Sequence, residues 1–155
     1  MLFTKAYLVY IDNMIVETNS EIETREFAQS FAKTLVGGDI ILLHGDLGMG
    51  KSVFARAVIR RLCGAENLEV PSPTFTLVQT YDAPIGQVWH FDLYRLSSPD
   101  EIYDIGWEEA LSGGIILVEW PERLGGLLPA SYIDVRFSPV EGSPDKRKIE
   151  VLKHV

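Results

Sequence analysis

The sequence predicts a single α/β domain built on a mixed sheet. Two continuous apolar runs of strand length, at residues 39–44 (DIILLH) and 114–119 (GIILVE), suit strands buried on both faces. The segments around them carry helical periodicity, and two pairs of short runs separated by turn residues suit antiparallel hairpins. Together these call for helices packed on a sheet with both parallel and antiparallel neighbours. The length of 155 residues is that of one domain, and 46% apolar against 23% charged residues is enough to bury a core.

The chain opens with MLFTKAYLVYIDNMIV, which is apolar and carries Lys5. Asp12 and Asn13 interrupt the run, no small-residue cleavage site follows, and it is too short to cross a bilayer, so it is neither a leader nor a membrane span. It reads as an edge strand or as an upstream extension of residues 1–13, with Met14 as an alternative start. Ser20 and Glu23 form a capping box, and Phe27, Ala28, Phe31, Ala32 and Leu35 then recur at helical spacing, so a helix is expected over 21–35, ended by Gly37-Gly38. A second helix is expected over 51–63, stopped by Gly64. Runs at 75–81 and 87–92 flank a turn at 82–86, and residues 99–111 form a helix with Ile102, Ile105 and Ala110 inward. Residues 132–137 and 148–153 close the chain as a hairpin turning at 140–145.

The formal net charge is −8, from 14 Lys+Arg and 22 Asp+Glu. Affinity for a phosphate backbone comes largely from Lys and Arg displacing counterions, so tight direct binding of RNA or DNA is disfavoured. The lone cysteine, Cys63, cannot form an intrachain disulfide and has no metal-binding neighbour in sequence; it fits a core position in a reducing, cytoplasmic compartment.

Residues 45–52, Gly-Asp-Leu-Gly-Met-Gly-Lys-Ser, match G-x-x-x-x-G-K-[ST] in full. Glycines let such a loop curl so that successive amides face phosphate oxygens, while Lys51 reaches the outer phosphates and Ser52 offers its hydroxyl to magnesium. The start of the following helix adds the positive end of its dipole. With Gly at about 7% of residues, chance yields this pattern on the order of one per cent of the time in such a chain. A buried strand before it and a helix after it lower that further.

A phosphate loop needs an acidic partner for magnesium, usually at the end of a neighbouring buried strand. Glu119 ends the run 115–118 and is one candidate. Asp92 is the other: in residues 90–95, HFDLYR, the period of two puts His90 and Asp92 on one face. Asp92 could orient an attacking water or hold a magnesium-bound one, and His90 could position that water. Ser72 and Thr74, held by Pro71 and Pro73, lie where many phosphate-loop proteins sense the outer phosphate. Trp89 and Trp120 suit a core better than a ligand platform, Trp120 deserving notice only for adjoining Glu119.

Taken together, these segments resemble one family, the TsaE (YjeE) proteins, small bacterial ATPases of the tRNA threonylcarbamoyladenosine pathway. The pattern GDLGxGK[ST], SPT[FY]xLV, H-x-D-x-Y-R and L-V-E-W stands in that order at 45–52, 72–78, 90–95 and 117–120, and the resemblance covers most of the chain from Ser20 onward. It implies a P-loop NTPase-like mixed β-sheet flanked by helices, and slow hydrolysis of ATP to ADP with Mg2+. The hydrolysis would support TsaB with TsaD, the pair that installs threonylcarbamoyl on the adenosine beside the anticodon in tRNAs reading codons that begin with A. The chain would then meet tRNA only indirectly, and no DNA or membrane.

By the same resemblance Asp46, Leu47, Gly48, Met49, Gly50, Lys51, Ser52 and Val53 would hold the phosphates, and Ser52 and Glu119 the magnesium. Asp92, with Lys51 and Glu119, would serve turnover, and Ser20 and Arg147 would line the nucleotide site. Two departures stand out. Ser52-Val53 replaces the family's usual Thr-Thr, which keeps the metal-binding hydroxyl, and the first thirteen residues have no counterpart in the usual pattern. Two other readings share the loop. A small-molecule kinase would need an arginine-bearing lid, yet only Arg56, Arg60, Arg61 and Arg95 lie between the loop and Glu119. A nucleotide-dependent binding module would use hydrolysis only to change surfaces.

Overall fold

Four parallel strands run through the middle of a seven-stranded sheet in the computed structural model, which describes residues 13–155. Lys5 and all of the expected extension except Asn13 lie outside the described residues. Along the chain the elements are β1 (Asn13–Thr18), α1 (Glu21–Ala32), β2 (Ile40–His44), α2 (Lys51–Cys63), β3 (Val78–Ala83), β4 (Gly86–Asp92), α3 (Trp107–Leu111), β5 (Ile115–Glu119), β6 (Tyr132–Val140) and β7 (Ser143–His154). Short 3-10 segments occupy Pro99–Ile105 and Pro121–Leu127. The sheet order is β1-β7-β6-β2-β5-β4-β3; β6, β2, β5 and β4 are mutually parallel, while the β6–β7, β1–β7 and β3–β4 pairs are antiparallel. The mixed sheet is thus as expected, and β1 is an edge strand with Met14 as its second residue.

The apolar runs behave as their composition demands. Ile40 to Leu43 and all of β5 are buried, with alternate side chains feeding two cores. One core holds Phe27, Phe31, Phe54, Ile41, Leu43, Leu117 and Val135, between the sheet and the paired helices α1 and α2. The other holds Leu42, Phe91, Ile102, Trp107, Val118 and Leu124, under the 3-10 segments and α3.

Three elements depart from expectation. Helix α1 stops at Ala32 rather than 35, because the Thr34 hydroxyl and amide both turn back to the Phe31 carbonyl; Leu35 is still buried. The helix expected over 99–111 is a 3-10 segment and a short α-helix meeting at Gly106, whose φ of +96° is left-handed, and its main anchor is Trp107 rather than the half-buried Ile105. Strand β3 starts at Val78, not 75, because Leu77 sits at φ +69° and breaks the extended run. The final hairpin is longer than expected and turns at Glu141-Gly142.

Candidate functional site

The parallel strands place the chemistry. β2 leads into the glycine loop, and in the register of its neighbours Leu43 faces Glu119 and Asp92 faces Glu119. Loop and both carboxylates therefore gather at the carboxyl ends of β2, β5 and β4, where open α/β sheets bind ligands. A cavity of about 420 Å³ opens there, within the range of small-ligand sites. Its walls include ten of the twelve residues expected at the site: Ser20, Leu47, Gly48, Gly50, Lys51, Ser52, Val53, Asp92, Glu119 and Arg147.

The other two, Asp46 and Met49, belong to the loop but do not line the cavity. Asp46 is exposed and its carbonyl accepts from the Met49 amide, while the Met49 side chain packs on the first core. Ser72, Thr74 and Trp120 do line it, as do Glu21, Thr24 and Asp145, which sequence reasoning missed. Thr24 had a signal, since it lies one helical turn beyond Ser20; its hydroxyl shares a hydrogen bond of 2.8 Å with Thr18. Asp145 had none, because only the folded hairpin carries it there.

Lys51 opens α2, directly after Gly50 at φ +107°. The first amides of a helix have no acceptor within it, so α2 points a set of free donors into the cavity. The Lys51 ammonium is buried, finds no hydrogen-bond partner among the described residues, and rests 3.7 Å from the centre of the Trp120 ring. Burial lowers its pKa, against the pull of Glu119, Glu122, Asp92 and Asp46. A desolvated cation with an aromatic face beside it and no hydrogen-bond acceptor among the described residues suits an anionic ligand. Trp120 itself sits in the left-handed region, at φ +59°, a strained conformation for a bulky residue.

The two carboxylates differ. Asp92 Oδ2 accepts from the Thr74 hydroxyl at 3.2 Å, which is itself 2.7 Å from the Ser72 hydroxyl, and Oδ1 accepts from the Tyr94 amide at 3.0 Å. Burial raises its pKa, and the Glu119 charge adds to this, against the hydrogen bonds from Tyr94 and Thr74 and the field of His90. Glu119 turns Oε1 toward the Ser52 hydroxyl at 3.5 Å and Oε2 toward His90 Nε2 at 2.8 Å. His90 and Asp92 share a face as the alternation predicts, but the imidazole is tied to Glu119 rather than free to position a water beside Asp92.

Ser52 Oγ and Glu119 Oε1 stand 3.5 Å apart and are the two side-chain oxygens that would hold a magnesium ion here, both being hard oxygen donors. Among the described residues no group of three or more His, Cys, Asp or Glu is arranged to hold a metal by itself. Arg147 reaches the rim from β7, its Nη2 donating to the Gly48 carbonyl at 3.3 Å. Trp89 is core, stacked on Phe91, and Cys63 is half-buried against the first core, with its thiol pKa raised by burial.

A family model described as "Threonylcarbamoyl adenosine biosynthesis protein TsaE" matches residues 18–149. Proteins named tRNA threonylcarbamoyladenosine biosynthesis protein TsaE are similar in sequence. The one from Rickettsia bellii is 51% identical over 129 residues, covering 83% of this chain and 88% of its own. The one from Haemophilus influenzae is 33% identical over 138 residues, with coverage of 85% and 84%. Among solved structures, YdiB from Bacillus subtilis superposes with a TM-score of 0.72 at 25% identity, covering 94% of this chain and 88% of that one.

Proposed function

Given that the chain belongs to the TsaE family, with its role in tRNA threonylcarbamoyladenosine biosynthesis, we propose that it is a magnesium-dependent ATPase serving that modification together with TsaB and TsaD. The observation that carries the reading is Lys51: a buried ammonium with no hydrogen-bond partner among the described residues, at the mouth of a glycine loop and a helix start.

In this reading the amides of residues 46–53 and Lys51 hold the phosphates, while Ser20 and Arg147 line the nucleotide site at the two sides of the cavity. Ser52 and Glu119 hold magnesium, which when bound neutralises charge on the outer phosphates. Asp92 orients the attacking water in line with the terminal phosphate. Its raised proton affinity suits it to take the proton as the water adds and the bond to ADP breaks. Lys51 leaves the Trp120 face for the phosphate, exchanging a cation–π contact for an ion pair. The net charge of −8 supports contact with the modifying proteins rather than with the tRNA itself, in a cytoplasmic setting.

Phosphate release from ATP tests this. It should require Mg2+, rise when TsaB and TsaD are added, and collapse in Asp92→Ala. Release that ignores the partners and survives Asp92→Ala would refute the proposal. Transfer of phosphate to a sugar or nucleoside instead of water would make the chain a kinase.

A further inference from the structure

The Glu119 carboxylate is buried in the site, with His90 Nε2 at 2.8 Å from one oxygen and the Ser52 hydroxyl, at a longer 3.5 Å, facing the other. Resting on the magnesium reading above, we propose that His90 is the positioning residue that selects which Glu119 oxygen, and which side-chain orientation, is offered to the metal. His90 lies on β4 opposite Leu117, two residues short of the level of Glu119, so the two side chains meet on a diagonal between parallel strands. Their side chains are 3% and 4% exposed and 2.8 Å apart. In so dry a place a carboxylate without a donor is costly, and His90 is the donor that Oε2 finds.

The other ring nitrogen decides the tautomer. Nδ1 is buried and has no partner among the described residues. With hydrogen on Nε2, the ring donates to Glu119 and leaves a bare lone pair at Nδ1. With hydrogen on Nδ1, a buried N–H would go unpaired and two lone pairs would face each other across 2.8 Å. The ring therefore holds its hydrogen on Nε2, and Nδ1 is a dead end with no route for a proton onward. His90 holds the carboxylate; it does not relay protons. With Oε2 engaged, Oε1 is the oxygen left facing Ser52 at 3.5 Å. Hydrogen-bond partners of metal ligands commonly matter by about 10- to 100-fold in metal affinity.

A pair of substitutions isolates the role. The amide nitrogen of glutamine can reach the place of Nε2, whereas that of asparagine stops near Nδ1 and falls short of Glu119. Binding of a fluorescent ADP analogue should be titrated with Mg2+, and repeated in EDTA, for the wild type, His90→Gln and His90→Asn. His90→Asn should raise the Mg2+ needed for half-effect by about 10- to 100-fold and His90→Gln by far less, with all three binding alike in EDTA and turnover of His90→Asn restored by excess Mg2+. A wild-type Mg2+ response in His90→Asn, or His90→Gln as impaired as His90→Asn, would overturn the inference. So would equal loss of binding in EDTA, which a merely structural role produces. Should His90→Asn fail to fold, nitrogen-15 NMR of the wild type reads the tautomer directly, and hydrogen on Nδ1 would overturn it. Wild-type binding indifferent to Mg2+ would instead bring down the magnesium reading, and this inference with it.

Discussion

Gly45 joins β2 to the phosphate loop, and its replacement by alanine is the sharpest test of why the loop has its shape. Its φ is +144°, and a Cβ built there would stand 2.8 Å from the Phe137 carbonyl oxygen and 3.1 Å from the Phe137 Cβ. That carbonyl is backbone of β6, locked between β2 and β7. The backbone conformation costs an ordinary residue about 1–3 kcal/mol, and the overpacking about as much again, so Gly45→Ala should lose about 2–6 kcal/mol. For a domain of this size that lowers Tm by roughly 5–20 °C, out of a total stability of about 5–15 kcal/mol.

Gly48 is the control. Its φ of +80° is also left-handed, but a Cβ there meets nothing within 4 Å, so Gly48→Ala should cost only the conformational part, about 1–2 kcal/mol. Thermal unfolding followed by circular dichroism, without nucleotide, measures both. Gly45→Ala as stable as Gly48→Ala would show that the close approach of loop to β6 does not shape the loop.

Other substitutions probe other parts. Asp92→Asn should lower phosphate release by about 10²- to 10⁴-fold, the usual worth of a general base, while raising stability at neutral pH. The sign follows from the raised pKa: the wild-type carboxyl favours the fold while protonated, below its ordinary value of 3.8, and that contribution is lost as pH rises through the folded value. The Tm advantage of Asp92→Asn should therefore grow with pH and then level off; an advantage largest in acid would refute it. Trp107 is 2% exposed and packs edge-on at 5.3 Å against Phe91 on β4, so Trp107→Ala should cost about 3–5 kcal/mol in urea unfolding. Ser52→Ala should raise the Mg2+ needed for turnover without abolishing nucleotide binding in EDTA, as read by titration of both. In Asp134→Ala the buried carboxylate that His44, His154 and Arg136 share is gone, at a cost of about 1–3 kcal/mol in the same unfolding assay, with phosphate release unaltered.

Much of this could be read from residue order. The glycine loop, the helix from Lys51 to Cys63 and the two buried strands are local patterns, and local backbone follows local sequence where nothing competes. Competition explains the departures. Thr34 draws its hydroxyl back to Phe31 and ends α1 early, and Leu77 takes a strained turn because its amide bonds the Pro73 carbonyl at 2.7 Å while its own carbonyl receives the Asp92 amide at 2.9 Å. No periodicity announces a bond to a strand fifteen residues away.

The sequence alone determined that a glycine loop of the pattern G-x-x-x-x-G-K-[ST], an Asp and a Glu at strand ends, and an arginine near the last strand were present. Only the tertiary structure decided which of them meet. The order β2-β5-β4 brings Ser52 to Glu119 across 67 residues and Glu119 to His90 across 29, and the last hairpin brings Arg147 to Gly48 across 99. Strand order is settled by burying two apolar faces at once, a property of the whole chain, so His90 could be seen in the sequence beside Asp92 but its attachment to Glu119 could not. The same holds for Lys51, whose resting place on Trp120 depends on β2 and β5 lying side by side.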